Sequence, residues 1–122
     1  MEQRGTLIAV EKSANKRARL AANCRRHGAA FASVVTADAG TLLVDETALY
    51  CAERASDGSE HSIRFERGSF DRVMLDPPCS ALGQRPRAEI DTKLRPLLGT
   101  ARYQQRLFQT AVELLRPGGR LV

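Results

Sequence analysis

The order of apolar and polar positions along this 122-residue chain predicts strands that each end in an acidic side chain. The segment Gly5 to Lys12, "GTLIAVEK", contains an uninterrupted apolar run closed by charge, which is typical of a buried parallel strand. A second strand is predicted within Phe31 to Gly40, "FASVVTADAG", and a third in Phe70 to Asp76, "FDRVMLD". The acids at these three successive strand ends are Glu11, Asp38 and Asp76.

Two helices are predicted from the spacing of apolar residues. Ser13 is a candidate N-cap, and a face of small apolar residues then recurs until Gly28, which ends the first helix. The second helix is predicted over Ala101 to Leu115 and is followed by Arg116-Pro117-Gly118-Gly119, after which "RLV" opens another strand. The apolar face of this second helix carries Tyr103, Leu107, Ala111 and Leu114 or Leu115.

The other segments are less regular. Thr41 to Gly68 is predicted to form a short helix or loop and then a hairpin around Asp57-Gly58, and Ala81 to Thr100 is predicted to be a loop. The alternation of strands and helices predicts an α/β protein with a doubly wound parallel sheet. Residues 1–122 are expected to form one domain.

The three acids suggest a nucleotide site, because ligands of doubly wound sheets bind beyond the carboxyl ends of the strands. A carboxylate after one strand accepts hydrogen bonds from both ribose hydroxyls, and one after the next strand accepts from the exocyclic amine of adenine. The alternative is that such acids only cap the helices that follow them. Both interpretations remain open at this point.

Composition limits the classes of function. The net charge of +5 and isoelectric point near 9.6 favour a polyanionic partner such as nucleic acid, although many soluble domains are equally basic. No apolar run approaches a membrane span, and the amino terminus does not resemble a secretory signal. Three widely spaced cysteines argue against a disulfide framework, and "CRRH" alone is a poor zinc signal. We expect an intracellular protein, cytoplasmic or nuclear, without a metal.

The segment Asp76-Pro77-Pro78-Cys79 adds chemistry to this geometry. The prolines forbid both helix and strand ladder, so the turn is rigid and extended and is able to face a nucleobase. Cys79 is a candidate nucleophile or proton carrier, because a thiolate must add to pyrimidine C6 before C5 attacks a methyl donor. Asp76 would assist at N3. The alternative is that Cys79 is a small buried hydrophobic residue.

These residues carry a family resemblance. The segments "FDRVMLDPPCSALGQRP" and "YQQRLFQTAVELLRPGGRLV" resemble the catalytic core of Sun-domain (Fmu-type) RNA cytosine-C5 methyltransferases, a Rossmann-like fold that uses S-adenosylmethionine. The resemblance implies that Glu11 binds the cofactor ribose, that Asp38 binds adenine, and that Asp76 lies between the methionine moiety and cytosine. It also implies that Cys79 assists release of the methylated base. Arg85 and Arg87 are the implied RNA contacts.

The chain also departs from the family pattern. The glycine-rich cofactor loop would precede Gly5, and the covalent nucleophile, a second cysteine in a Thr-Cys motif, would follow Val122. We therefore expect a partial catalytic domain that lacks the first and last strands of the sheet. The exposed sheet edges would pair with each other, self-associate or be completed by another chain, unless the chain is part of a longer product.

Two alternatives to the cytosine-C5 activity remain from the sequence. An Asp-Pro-Pro turn followed by an aromatic residue is typical of amino-group nucleic acid methyltransferases, but this chain has Cys79 in that place. A noncatalytic RNA-binding or scaffold protein of the same fold would also fit the missing segments.

Overall fold

The computed structural model describes residues 5–80 and 94–122. It divides into two units, and the strand predicted near the amino terminus is present in the first. The first unit is Met1–Glu66 and the second is Arg67–Val122. The elements of the first unit are β1 (Leu7–Glu11), α1 (Ala14–Arg26), β2 (Ala32–Thr36), a 3-10 turn (Ala39–Thr41), β3 (Tyr50–Arg54) and β4 (Glu60–Ile63).

The first unit contains a four-stranded sheet in the order β1-β2-β3-β4. β1 and β2 are parallel, whereas β2 with β3 and β3 with β4 are antiparallel. The parallel pairing predicted for the sheet is present between β1 and β2, and the hairpin segment adds β3 and β4 as antiparallel strands, because a short turn joins only antiparallel neighbours. The predicted hairpin is confirmed, and Gly58 supplies the turn with a φ of 76°.

The core of the first unit lies around β2. Ala32, Val34 and Val35 have no exposed surface, as expected of a strand covered on both faces. Ala21 of α1 is also buried, so the small residues of the predicted helix face allow close packing. Phe65 packs edge-on against the ring of Tyr50, with the ring centroids 5.4 Å apart.

The second unit contains β5 (Phe70–Val73), α2 (Leu94–Leu114) and β6 (Leu115–Leu121). α2 begins before the predicted Ala101, so the loop predicted over its first residues is wrong. Pro96 misled that prediction, but a proline in the first helical turn removes only an N–H that has no acceptor within the helix. α2 buries Leu107, Thr110, Ala111 and Leu114, whereas Leu115 already belongs to β6.

β5 and β6 form a two-stranded parallel sheet with an irregular register. Phe70 pairs with Leu115 and Arg72 pairs with Arg120. Between these two pairs β6 advances by five residues while β5 advances by two. Four residues of β6, Arg116-Pro117-Gly118-Gly119, lie opposite the single residue Asp71 and form a bulge. They follow the end of α2 as predicted, but β6 begins before them rather than at "RLV". No helix within the described residues is long and apolar enough to cross a membrane.

Candidate functional site

Glu11 is the last residue of β1 and pairs in register with Thr36 at the end of β2. Its carboxylate Oε1 accepts a hydrogen bond of 2.8 Å from the backbone N–H of Ser13, the N-cap of α1. Ser13 is the N-cap as predicted, but its hydroxyl makes no capping bond, and the contact at this helix start is the one from its own N–H to Glu11. Within the described residues, the other carboxylate oxygen of Glu11 accepts no hydrogen bond.

Asp38 follows β2 by two residues, and both oxygens of its carboxylate accept hydrogen bonds. Its Oδ1 accepts from the backbone N–H of Gly40 at 2.9 Å, and its Oδ2 accepts from Nζ of Lys12, also at 2.9 Å. The Asp38 side chain is 21% exposed and the Lys12 side chain is 66% exposed. The carboxylate is therefore oriented by backbone on one side and by a solvated cation on the other.

The ends of β1 and β2 thus place Glu11, Lys12 and Asp38 along one edge of the sheet, because parallel strands end at the same side. The sequence prediction of two acids at this edge is confirmed in position, although their ligands remain a prediction. Lys12 was missed. Its signal was a lysine directly after the terminal acid of β1, but its partner lies 26 residues away and could not be identified from spacing.

The carboxylates of Glu11 and Asp38 suit the hydroxyls and amine of an adenosine more than they suit a metal. Carboxylate oxygens accept hydrogen bonds from ribose O–H and adenine N–H groups, and each oxygen has two lone pairs. Glu11 retains one oxygen that no described residue uses. Among the described residues, no group of three or more His, Cys, Asp or Glu side chains could hold a metal ion.

In the second unit, the segment Asp76-Pro77-Pro78-Cys79 leaves the end of the β5–β6 ladder. The ladder continues past Val73 through a hydrogen bond of 2.7 Å from the N–H of Leu75 to the carbonyl of Val122. Asp76 is exposed directly after it, and Cys79 is exposed as a free thiol. The alternative of a buried, inert Cys79 is therefore wrong.

A residue that sequence reasoning did not single out contacts this turn. Nε2 of Gln104, on α2, donates a hydrogen bond of 2.8 Å to the carbonyl oxygen of Pro78. The contact spans 26 residues, so no local motif signals it.

Positive charge dominates the described part of the second unit, which has seven arginines against three acidic residues. Two arginines pair with acids: Arg116 with Asp71 and Arg67 with Glu113. The other five arginines in the described part of this unit are exposed as well: Arg72, Arg95, Arg102, Arg106 and Arg120. Arg85 and Arg87, the RNA contacts implied by sequence, lie outside the described residues.

Comparisons with known proteins agree with this fold. The chain is 34% identical over 122 residues to the tRNA (cytosine(72)-C(5))-methyltransferase NSUN6 of Mus musculus, covering 24% of that protein. It is 31% identical over 122 residues to the tRNA (cytosine(72)-C(5))-methyltransferase of Pyrococcus horikoshii, covering 26% of it. It is also 50% identical over 60 residues, 48% of this chain and 10% of the relative, to the rRNA (cytosine-C(5))-methyltransferase NOP2C of Arabidopsis thaliana.

A crystal structure of NSun6 from Pyrococcus horikoshii with SFG superposes with a TM-score of 0.66 at 30% identity, covering 98% of this chain and 26% of that one. The architecture is thus a Rossmann-like fold of the S-adenosylmethionine-dependent methyltransferase class. The chain belongs to the family described as 16S rRNA methyltransferase RsmB/F, whose model matches residues 1–122. It spans about a quarter of the length of the first two relatives.

Proposed function

We propose that residues 1–122 are part of the catalytic core of an RNA cytosine-C5 methyltransferase. The observation that carries the proposal is the turn after β5, where an exposed carboxylate, two prolines and an exposed thiol follow one another. Support comes from relatives named as tRNA and rRNA cytosine-C5 methyltransferases. The structural neighbour was solved with SFG, an analogue of S-adenosylmethionine.

The proposed cofactor is S-adenosylmethionine, which supplies an electrophilic methyl group when bound. Glu11 accepts hydrogen bonds from the ribose hydroxyls through the oxygen that Ser13 does not use. Asp38 accepts from the adenine amine, and its contacts with Gly40 and Lys12 hold the carboxylate in one orientation before the cofactor arrives.

The turn after β5 is proposed to act on the cytosine. Addition of a thiolate to C6 makes C5 nucleophilic, and C5 then takes the methyl group. Release follows when a base accepts the C5 proton and the C6–S bond breaks, which returns the thiolate. The carboxylic acid form of Asp76 would donate a hydrogen bond to N3 and so stabilise the negative charge that develops on the ring. Cys79 assists the release step, whereas the thiolate that adds to C6 belongs to the Thr-Cys motif that the family resemblance places after Val122.

The proposed RNA surface is the arginine-rich second unit. Arg85 and Arg87 are proposed phosphate contacts, and the exposed arginines of β5, α2 and β6 support a basic RNA-binding surface on the second unit. Binding to RNA should therefore weaken steeply as salt rises, because each phosphate contact releases counterions. The RNA-modifying relatives support an intracellular location, in the cytoplasm or the nucleus.

A complementing chain or self-association is proposed at the free edge of β1, which lies at the end of its sheet and pairs only with β2 among the described strands. An edge strand presents unpaired N–H and C=O groups to any added strand. Analytical ultracentrifugation of the chain tests this, because a monomer at all concentrations would contradict self-association.

Calorimetric titration of S-adenosylmethionine into the 122-residue chain tests the cofactor site. Asp38→Ala should weaken binding about 10- to 150-fold, since a hydrogen bond to a charged group contributes about 1.5–3 kcal/mol. Asp45→Ala is the matched control, because Asp45 also accepts from the backbone N–H two residues later, that of Thr47, but does not follow a parallel strand. Equal losses in the two variants would contradict the role of Asp38.

The chemistry is tested in a chimera in which residues 1–122 replace the matching quarter of the Pyrococcus horikoshii protein. We expect methylation of cytosine at C5 in RNA. With Cys79→Ala, a protein–RNA adduct that survives denaturation should accumulate. Methyl groups on exocyclic amines would instead indicate an amino-group methyltransferase. Salt-sensitive RNA binding by the chain with no heat of cofactor binding would indicate a noncatalytic RNA-binding protein.

A further inference from the structure

The turn from Asp76 to Ser80 has a single hydrogen bond that ties it to the described part of the chain. The β5–β6 ladder ends with the N–H of Leu75, and the two prolines have no N–H to donate. Within the described residues, the one hydrogen bond made by residues 76–80 is that from Gln104 Nε2 to the Pro78 carbonyl. Among the described residues, the hydrogen-bonded support of this turn therefore comes from one side chain.

Gln104 is itself anchored on a rigid element. It lies three residues before Leu107 in α2, and Leu107, Ala111 and Leu114 continue the same side of the helix as buried residues. Gln104 is half-buried at the start of this face, whereas its neighbour Gln105 is exposed. The packed face of α2 thus holds the base of the Gln104 side chain, and the amide at its tip reaches the turn.

The bonded carbonyl is the one that precedes Cys79. The peptide group joining Pro78 to Cys79 is planar, so holding the Pro78 oxygen also holds the N and Cα of Cys79. The ring of Pro78 fixes its φ, so its ψ is the one free torsion between the ring and the carbonyl. One hydrogen bond therefore restricts where the exposed thiol of Cys79 points.

We propose that Gln104 is a positioning residue that clamps the Pro78 carbonyl and so presents the Cys79 thiol to the base. This inference rests on the proposed function for its catalytic consequence, but the clamp itself is a property of the second unit alone. Gln104 touches neither cofactor nor base. It acts through the backbone of the turn.

The clamp is tested by NMR relaxation in the 122-residue chain. The N–H of Cys79 is the first reporter after the two prolines. We expect its order parameter to be near the rigid value of about 0.85 in the wild type and to fall below about 0.6 in Gln104→Met, which removes the donor at similar side-chain length. Gln104→Glu should give the same loss, because a carboxylate cannot donate. Gln105→Met, the matched exposed neighbour, should change nothing.

A purely structural role for Gln104 would give a different result. In that case Gln104→Met would lower the urea midpoint of unfolding more than Gln105→Met does, and the Cys79 N–H would stay rigid in the native state. Unchanged relaxation in Gln104→Met would therefore overturn the clamp.

The catalytic consequence is measured in the chimera with the Pyrococcus horikoshii protein. Gln104→Met should lower kcat about 10- to 100-fold, since a small misplacement of a reacting group costs up to about 10²-fold, and should leave the KM for S-adenosylmethionine unchanged. An unaltered kcat would overturn the positioning role. An inactive chimera with Gln104 intact would count against the proposed function, while the relaxation experiment would still decide the clamp.

Discussion

Replacing Gly119 by alanine should destabilise the second unit. A Cβ on Gly119 would lie 2.7 Å from both Cγ and Cδ1 of Leu115 and 3.0 Å from the carbonyl oxygen of Arg116. Cγ is close to the backbone of Leu115, so rotating the end of that side chain does not relieve the overlap. Forced overpacking of this kind costs about 1–3 kcal/mol. The bulge that sets the register of β6 on β5 would have to shift.

Urea unfolding followed by circular dichroism measures this effect. With a destabilisation of about 2 kcal/mol and a slope of about 2 kcal/mol/M, the midpoint should fall by about 1 M. Gly99→Ala is the matched control in the same unit, because an added Cβ there meets no atom within 4 Å and the residue lies inside α2. That substitution should raise the free energy of unfolding by about 0.5–1 kcal/mol.

The two alanine substitutions thus have opposite expected signs. A midpoint for Gly119→Ala equal to or above that of the wild type would refute the reasoning, because it would mean that the bulge accommodates a side chain without strain. A fall in the midpoint for Gly99→Ala of the same size would also refute it, since the loss would then not be specific to the bulge.

Two further predictions concern the pH response and the core. Hydrogen bonds from the Thr47 hydroxyl and then from its backbone N–H lower the pKa of Asp45. Their contribution to stability is therefore present above the unfolded-state pKa and is lost as pH falls through the folded-state pKa. In a carbon-13 NMR titration, Thr47→Ala should raise the Asp45 midpoint toward that of an ordinary aspartate, and an unmoved midpoint would contradict the assignment. Leu107→Ala removes a side chain that is 6% exposed and should lower the free energy of unfolding in urea by about 2–5 kcal/mol. The control is Val112→Ala on the same helix, where the side chain is 47% exposed and the change should be no more than about 0.5 kcal/mol. Similar losses for both would show that α2 does not pack through the Leu107 face.

The sequence by itself determined the elements whose signals are local. Apolar runs bounded by charge identified β1, β2 and the start of β5, because the two-residue period of a strand is read within a few positions. The Asp57-Gly58 turn indicated the hairpin because few residues other than glycine tolerate a positive φ. The positions of Glu11 and Asp38 at one sheet edge followed from the predicted parallel pairing.

Local sequence signals also failed where a proline or glycine is compatible with either the end or the continuation of a helix or strand. Pro96 reads as a break in any helix interior, yet it is tolerated in the first turn of α2. Pro117 and the glycines after it correctly indicated the end of the helix, yet β6 begins before them and passes through them as a bulge. Whether such residues interrupt or merely bend an element depends on which hydrogen bonds their neighbours make, and sequence spacing does not contain that information.

Only the tertiary structure decided which distant groups meet. Lys12 and Asp38 are 26 residues apart, as are Gln104 and Pro78, and each pair is joined by one hydrogen bond between different elements. A single side-chain contact of this kind leaves no periodic trace in the sequence, because only one residue on each element takes part. The chain therefore specified its acids and its thiol through local pattern. The partners that orient them were set within each unit, by the adjacent ends of β1 and β2 in the first and by the contact of α2 with the turn after β5 in the second.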